Sequence, residues 1–253
     1  MNKSYLFALI IFVIFLNLYV VSRPLFAKNT SVFQAKASIL CYHTFLGKPK
    51  VFTDFSIEEF QQHIHLLKKN GFSFITLKQL KQKQYQGNKN VVLIIDDGNK
   101  TAYEAYYRVL KPLGIKPVFA IYPNVINKAK YAMTWVQLKT LVKEGCEIGA
   151  HGFYHLYLKS DFAIKDPKGF SKEIVYSKQV LEKELGIGIT DFIYPFGVKS
   201  PEAVSLLKQS GYTHAYSLKV KPVELDKEDV YDMPRYMLTR SMASSILKTL
   251  IQG

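Results

Sequence analysis

The chain has 253 residues, 48% of them hydrophobic and 21% charged. This composition excludes a disordered or collagen-like polymer and leaves enough sequence for one substantial core. The formal net charge of +14 is high, but no nucleic-acid-binding motif accompanies it, so a solvated basic surface facing acidic envelope polymers is expected, with no nucleic-acid partner.

Residues 5–21 are apolar except for Asn17, with Lys3 before them and Arg23, Pro24 and Lys28 after. The run is slightly long for a signal peptide and slightly short for a membrane span of about 20 residues, and the cleavage-site matches ending at Ser22 and Ala27 are partial. An uncleaved anchor and a cleaved signal both stay open, and either one exports the rest of the chain. Residues 1–26 are therefore assigned to a membrane anchor or signal segment, 27–36 to a polar linker, and 37–253 to a single extracytoplasmic domain. No obligate protein partner is evident. Cys41 and Cys146 have apolar neighbours and read as buried thiols rather than a disulfide framework.

Strand-like and helix-like segments then alternate. Residues 38–42 read as a strand ending at His43. Ser56 and Glu59 form a capping box that opens a helix over 56–70, with Phe60, Ile64 and Leu67 at helical spacing. A strand at 72–76 and a lysine- and glutamine-rich helix at 77–86 follow. Residues 91–95 are five consecutive apolar, mostly β-branched residues, the pattern of a strand buried on both faces, and Asp96-Asp97-Gly98 stands at its end. A helix over 101–110 ends at Pro112 and Gly114; a strand covers 117–122. Thr134 and Gln137 cap a helix running to 144, where Trp135 is expected to pack. A strand at 147–150 delivers His151. A long helix over 170–185, a strand at 191–194, a helix from Pro201 to 210, a strand at 212–218 and a last helix at 241–251 complete the order. His63, His65 and His214 read as structural or surface residues.

Such alternation predicts an α/β fold, a single distorted (β/α) barrel of about seven parallel strands with its chemistry at the strands' C-terminal ends. Asp96 and Asp97 lie at one such end, although Asp-Asp-Gly by itself is also common turn chemistry. His151 and His155 are four positions apart, a spacing that lets two imidazoles converge on one ion if the segment turns. One carboxylate with two imidazoles, leaving a position for water, is the donor set of a catalytic metal site; a structural site would offer four ligands, typically cysteines.

The segments Ile94-Ile95-Asp96-Asp97-Gly98, His151-Gly152-Phe153-Tyr154-His155 and Tyr194-Pro195-Phe196-Gly197, in this order and approximate spacing, resemble the polysaccharide deacetylase family. Cys41-Tyr42-His43-Thr44-Phe45, Phe55-Ser56-Ile57-Glu58-Glu59-Phe60, Gly71-Phe72 and Met233-Pro234-Arg235 further resemble its branch of poly-β-1,6-N-acetylglucosamine N-deacetylases. The resemblance covers about 38–235. It implies that Asp97, His151 and His155 hold one divalent metal, zinc by ligand type with cobalt, nickel, manganese or iron also suited. It implies Asp96 as general base, the backbone N–H of Phe196 as oxyanion donor, and Tyr194, Pro195 and Arg235 beside the substrate. A histidine in a Leu-x-His motif near the C-terminus serves many members as general acid; this chain has none there, and the resemblance to the poly-β-1,6-N-acetylglucosamine branch, where that histidine comes from the first strand, implies His43 in the role. The implied reaction is metal-dependent hydrolysis of N-acetyl groups on an N-acetylated cell-surface polysaccharide, with poly-β-1,6-N-acetylglucosamine as the expected substrate, giving free amines and acetate. Another envelope glycan, an O-acetylated sugar, or an inactive sugar-binding protein on the same fold remain alternatives. Departures from the family pattern are Gly152 in place of Ser or Thr, Asn99-Lys100 after Asp-Asp-Gly, and the missing Arg before Tyr194-Pro195. Arg235 is expected either to set a charge near Asp96 or to form a structural ion pair.

Overall fold

The computed structural model describes residues 36–252. The expected N-terminal segment and nearly all of the linker lie outside the described residues, among which no helix is long and apolar enough to cross a membrane.

The elements in chain order are β1 (Ala37–Tyr42), α1 (Ile57–Lys69), β2 (Ser73–Phe74), α2 (Leu77–Lys81), β3 (Asn90–Ile95), α3 (Lys100–Ala105), β4 (Val118–Ile121), α4 (Trp135–Lys143), β5 (Glu147–Ala150), α5 (Ser160–Lys165), α6 (Pro167–Ser171), α7 (Ser177–Leu185), β6 (Asp191–Ile193), α8 (Pro201–Gln209), β7 (His214–Tyr216), β8 (Tyr236–Met237) and α9 (Ala243–Gln252). The eight strands make one sheet in the order β7-β6-β5-β4-β3-β1-β8, with β2 also paired to β3, and every ladder is parallel. The two edges meet through the chain before β8: Met233 donates to Ala215 O and accepts from Ser217 N, both at 2.9 Å. The sheet therefore curls into the expected distorted barrel.

Alternation along the strands divides the apolar residues in two. Leu40, Tyr42, Val91, Leu93, Ile95, Phe119 and Ile121 belong to the large cluster under the helices. Ile39, Val92, Ile94, Val118, Ala120, Ile193, Tyr216 and Met233 form a smaller cluster with Leu77 and Leu80 of α2. By the same alternation Cys41 and His43 continue the side of Ile39, and Asp96 continues the side of Ile94.

Both expected capping boxes form, at Ser56/Glu59 and Thr134/Gln137. Other boundaries differ from expectation. The helix expected over 77–86 stops at Lys81, because only Leu77 and Leu80 find the core and Lys83 takes a left-handed conformation. The expected long helix is continuous in space but contains a wide π-helical turn, Lys172–Tyr176, between α6 and α7. A second such turn, Tyr106–Leu110, follows α3.

Candidate active site

β3 ends with its backbone still bonded to β1, Asp96 N donating to Tyr42 O at 2.8 Å. Two left-handed residues follow, Asp97 (φ 75°) and Gly98 (φ 69°), and they turn the Asp97 side chain away from the line of the strand. Asn99 then caps α3 by accepting from Thr101 N at 3.0 Å, which gives that departure from the family pattern a structural purpose. β5 ends at His151, whose N–H continues the ladder to Ile121 O. His155 returns to His151 through a loop in which Gly152 and His155 both have positive φ. Asp97, His155 and Phe196 are three of the five non-glycine residues with positive φ among those described. Conformations of this kind cost roughly 1–3 kcal/mol each and persist only where surrounding contacts impose them.

The result is a compact group of donors. His151 Nε2 lies 3.5 Å from Asp97 Oδ1, His155 Nε2 lies 3.4 Å from it, and the two imidazole nitrogens are 3.1 Å apart. His151 Nδ1 donates to the carbonyl of Ile193 at 2.7 Å; a carbonyl only accepts, so Nδ1 carries the proton and Nε2 presents a lone pair to the group. Asp97 Oδ1 is buried and has no hydrogen-bond partner. Ligands about 2.0–2.2 Å from a tetrahedral ion stand about 3.3–3.6 Å from one another. These three atoms therefore fit a divalent ion in spacing and chemistry, and an orphaned carboxylate oxygen is what such an ion would satisfy.

Asp96 sits deeper. It is 2% exposed, and Arg235 Nη1 donates to both of its oxygens at 3.0 Å. Cys41 Sγ lies 3.3 Å from Oδ2, His151 Nε2 3.7 Å and His43 Nε2 4.0 Å. Burial works to raise the Asp96 pKa, but the charge of Arg235, followed by those of His151 and His43, overcomes it and holds the carboxyl well below the usual carboxylate range. Burial works to raise the Asp97 pKa, but the neighbouring His151 outweighs it and holds this carboxyl low as well. Burial disfavours the His151 cation, yet the two aspartates raise its pKa. His155, by contrast, is pushed down to about 4 by burial and by the charge of His151. Burial and then the Asp96 charge keep Cys41 a thiol, so its S–H donates to Asp96 Oδ2.

The structure thus gathers His43, Asp96, Asp97, His151 and His155 at one rim of the barrel. The other expected residues take different places. Arg235 is 1% exposed and pairs with Asp96 from behind, so it is not open to solvent as the expected place beside the substrate would require. Tyr194 is buried with its hydroxyl donating to Tyr231 O, and Pro195 is buried beside it; both anchor the left-handed Phe196 from below. Phe196 is exposed at the rim, packs against the His155 ring at 4.5 Å, and stacks on exposed Tyr157 at 3.9 Å with a 13° interplanar angle. Tyr122 covers the other side of His155 at 5.2 Å. Sequence reasoning missed Cys41 and Tyr157. The i, i+2 spacing of Cys41 and His43 on one strand was a usable signal for the first; none pointed to the second.

The opposite end of the barrel has a cleft of about 590 Å³ lined in part by Lys78, Lys81, Glu147, Asp191 and His214. Its carboxylates are already engaged: Glu147 accepts from Leu77 N and Lys78 N, and Asp191 accepts from Lys81 Nζ and Tyr216 Oη. Those groups brace strand starts and α2.

Comparison with known proteins places the chain in a family. The sequence profile of the polysaccharide deacetylase family matches residues 83–215. The protein YxkH of Bacillus subtilis (strain 168) is 26% identical over 228 residues, covering 87% of this chain and 77% of its own. The poly-beta-1,6-N-acetyl-D-glucosamine N-deacetylase of Staphylococcus epidermidis is 25% identical over 203 residues, covering 76% and 70%. The structure of IcaB from Ammonifex degensii superposes with a TM-score of 0.75 at 22% identity, over 86% of this chain and 97% of that one.

Proposed function

The chain belongs to the polysaccharide deacetylase family, and from that premise we propose that it removes N-acetyl groups from a cell-surface polymer of β-1,6-linked N-acetylglucosamine, with a divalent metal as cofactor. The observation that carries this reading is the convergence of Asp97 Oδ1, His151 Nε2 and His155 Nε2 within 3.1–3.5 Å, beside a buried carboxylate that Arg235 keeps ionised. The likeness to the staphylococcal enzyme supports the choice of polymer.

Asp97, His151 and His155 would hold the ion, zinc being the best match to two imidazoles and a carboxylate, with cobalt, nickel, manganese and iron also compatible. When bound, the ion supplies Lewis acidity: it lowers the pKa of a water and polarises the acetyl carbonyl. The remaining work belongs to side chains and backbone. Asp96 accepts the proton of the attacking water, for which it must be ionised, as its Arg235 partner ensures. The Phe196 N–H donates to the oxyanion that develops on the acetyl carbon. His43 gives a proton to the departing amine as the carbon–nitrogen bond breaks, so that amide and water become amine and acetate. Tyr157 and Phe196 offer an exposed aromatic surface at the rim against which the apolar face of a sugar ring can lie. Residues 1–26 are proposed to carry this domain to the outside of the cytoplasm, either anchoring it to the membrane or being removed.

The test is acetate release by the protein lacking its first ~30 residues, from β-1,6-linked N-acetylglucosamine oligomers, with chitin and peptidoglycan oligomers as competitors. Chelator-sensitive release that Asp96→Asn abolishes is expected, with the β-1,6 oligomer preferred. Preference for peptidoglycan or chitin fragments would move the substrate to another envelope glycan. No release from any of them, with metal bound, would point to a sugar-binding protein.

A further inference from the structure

The loop after His151 turns sharply, with Gly152 at φ 77° and His155 at φ 66°, and its backbone N–H groups find no partner strand. Three of them converge on one side chain. Glu173 Oε2 accepts from Phe153 N and Leu156 N at 3.1 Å each, and Oε1 accepts from Tyr154 N at 2.8 Å. One helical turn further, Ser177 Oγ donates to Gly152 O at 2.7 Å. Glu173 and Ser177 are both fully buried. Among the described residues no lysine, arginine or histidine forms an ion pair with Glu173, so its hydrogen-bond partners are backbone amides of this loop.

The helix is shaped for the contact. Glu173 lies in the π-helical turn Lys172–Tyr176, and widened turns of this kind recur at functional sites. The neighbouring Lys172 donates to Tyr154 Oη at 2.6 Å and lies 4.6–5.5 Å from the rings of Phe153, Tyr154 and Tyr176. A Cβ on residue 152 would stand 2.5 Å from Glu173 Oε2, so the carboxylate occupies the space that a side chain there would need. At residue 152 the chain has glycine, and Glu173 reaches into the loop from a helix with its carboxylate.

We infer that Glu173 is a positioning residue for the proposed metal ligands, an inference that rests on the metal-holding reading of Asp97, His151 and His155. Its two oxygens fix the amides on either side of His155 and hold that residue left-handed, which sets His155 Nε2 at 3.1 Å from His151 Nε2 and 3.4 Å from Asp97 Oδ1. Ser177 fixes the start of the same loop. An apolar side chain could fill the volume but could not satisfy three amides, and a glutamine can present only one acceptor oxygen to them.

The test uses Glu173→Gln and Ser177→Ala in the full chain, with three readouts: zinc affinity by competition with a chromophoric chelator, the visible d–d spectrum of the cobalt-loaded protein, and the unfolding midpoint of the metal-free protein. Groups that orient ligands typically contribute about 10- to 100-fold in metal affinity. Glu173→Gln is expected to lose that much for zinc and to alter the cobalt spectrum, with Ser177→Ala showing a smaller change of the same sense. A lowered midpoint with wild-type zinc affinity and an unchanged cobalt spectrum would make Glu173 a fold-stabilising residue only and overturn the inference. If Glu173→Gln does not fold, Ser177→Ala decides alone by the same two metal readouts. Wild-type protein that binds neither ion would refute the metal reading itself, a result distinct from a wild type that binds and a variant that binds equally well.

Discussion

Asp96 and Arg235 form the most consequential pair at the scale of single residues, because each is buried and each depends on the other. Arg235 Nε and Nη2 have no hydrogen-bond partner, so Asp96 is its one countercharge at contact distance among the described residues. Replacing Asp96 with Asn leaves a buried guanidinium without its countercharge, a change that costs about 3–5 kcal/mol when one member of such a pair is removed. Asp96→Asn should therefore lose activity by about 10²–10⁴-fold and also lose stability in the metal-free protein. Adding Arg235→Met should restore most of the stability and none of the activity. Urea unfolding alongside acetate-release assays would check this, and a single variant as stable as wild type would contradict it. The pair also sets a pH dependence. The folded Asp96 pKa lies below the value of about 3.9 for an unfolded aspartate. Its stabilising contribution is present above pH ~4 and fades as pH falls through the folded value. The acid limb of kcat/KM in the wild type then belongs to groups other than Asp96. In Arg235→Gln, burial acts on Asp96 without its strongest opponent, so that limb should move to higher pH by about one unit or more; an unmoved profile would argue that Arg235 is not the group holding Asp96 ionised. Asp96, Asp97, His151 and His155 were legible from residue type and spacing. The side-chain contacts of Cys41, Arg235 and Glu173 were not, since each depends on a neighbour 55, 139 or about 20 positions away.

Single elements were most readable where local chemistry decides them. The capping boxes at Ser56 and Thr134 and the five-residue apolar run before Asp96 fix their own structure, and each formed as expected. β8 is only two residues long and pairs with the edge that β1 offers; α5 is six residues long with no fully buried side chain, too short for a helical period to reveal it. The π-helical turn carrying Glu173 bonds to a loop about 20 residues away in sequence, and helical periodicity does not disclose such a turn. The Tyr194–Gly197 turn is a case where an element can be perturbed without touching a ligand. Gly197 has φ 69°, and a Cβ there would meet Leu218 N at 2.8 Å and Leu218 Cβ at 2.7 Å. Gly197→Ala should therefore push this turn outward and displace the Phe196 N–H. Since misplacing a catalytic group by about 1 Å can cost about 10²-fold, kcat should fall by ten-fold or more with zinc affinity unchanged. Matched kinetics and metal titration would separate the two. A variant that loses zinc instead would show that this turn serves the ligands through the His155–Phe196 contact.

At the scale of the whole molecule, the barrel brings residues far apart in sequence to one rim: His43 follows β1, Asp97 follows β3, His151 follows β5 and Phe196 follows β6, with β4 separating the strands that deliver Asp97 and the histidines. Parallel topology makes this possible, since it sends every strand's C-terminal end to the same side. The alternation of segments made that architecture legible, whereas edge closure through Met233 and Ala215 depends on non-local pairing. An ion held by Asp97, His151 and His155 would cross-link β3 to β5 and so couple metal binding to global unfolding. A ligand that binds only the folded state stabilises it by about 4 kcal/mol at 1,000 times its dissociation constant. For a domain of this size that corresponds to a rise in unfolding midpoint of roughly 8–16 °C. Zinc should produce such a rise, chelator should reverse it, Asp97→Ala should abolish it, and Asp96→Asn should keep it, because Asp96 is assigned to the water rather than to the ion. Thermal unfolding of the three proteins with and without zinc reads this directly. Equal zinc stabilisation of wild type and Asp97→Ala would place the ion elsewhere, with the Cys41, His43 and Asp96 cluster as the other group of close donors among the described residues; loss of stabilisation in Asp96→Asn would reassign that carboxylate from base to ligand.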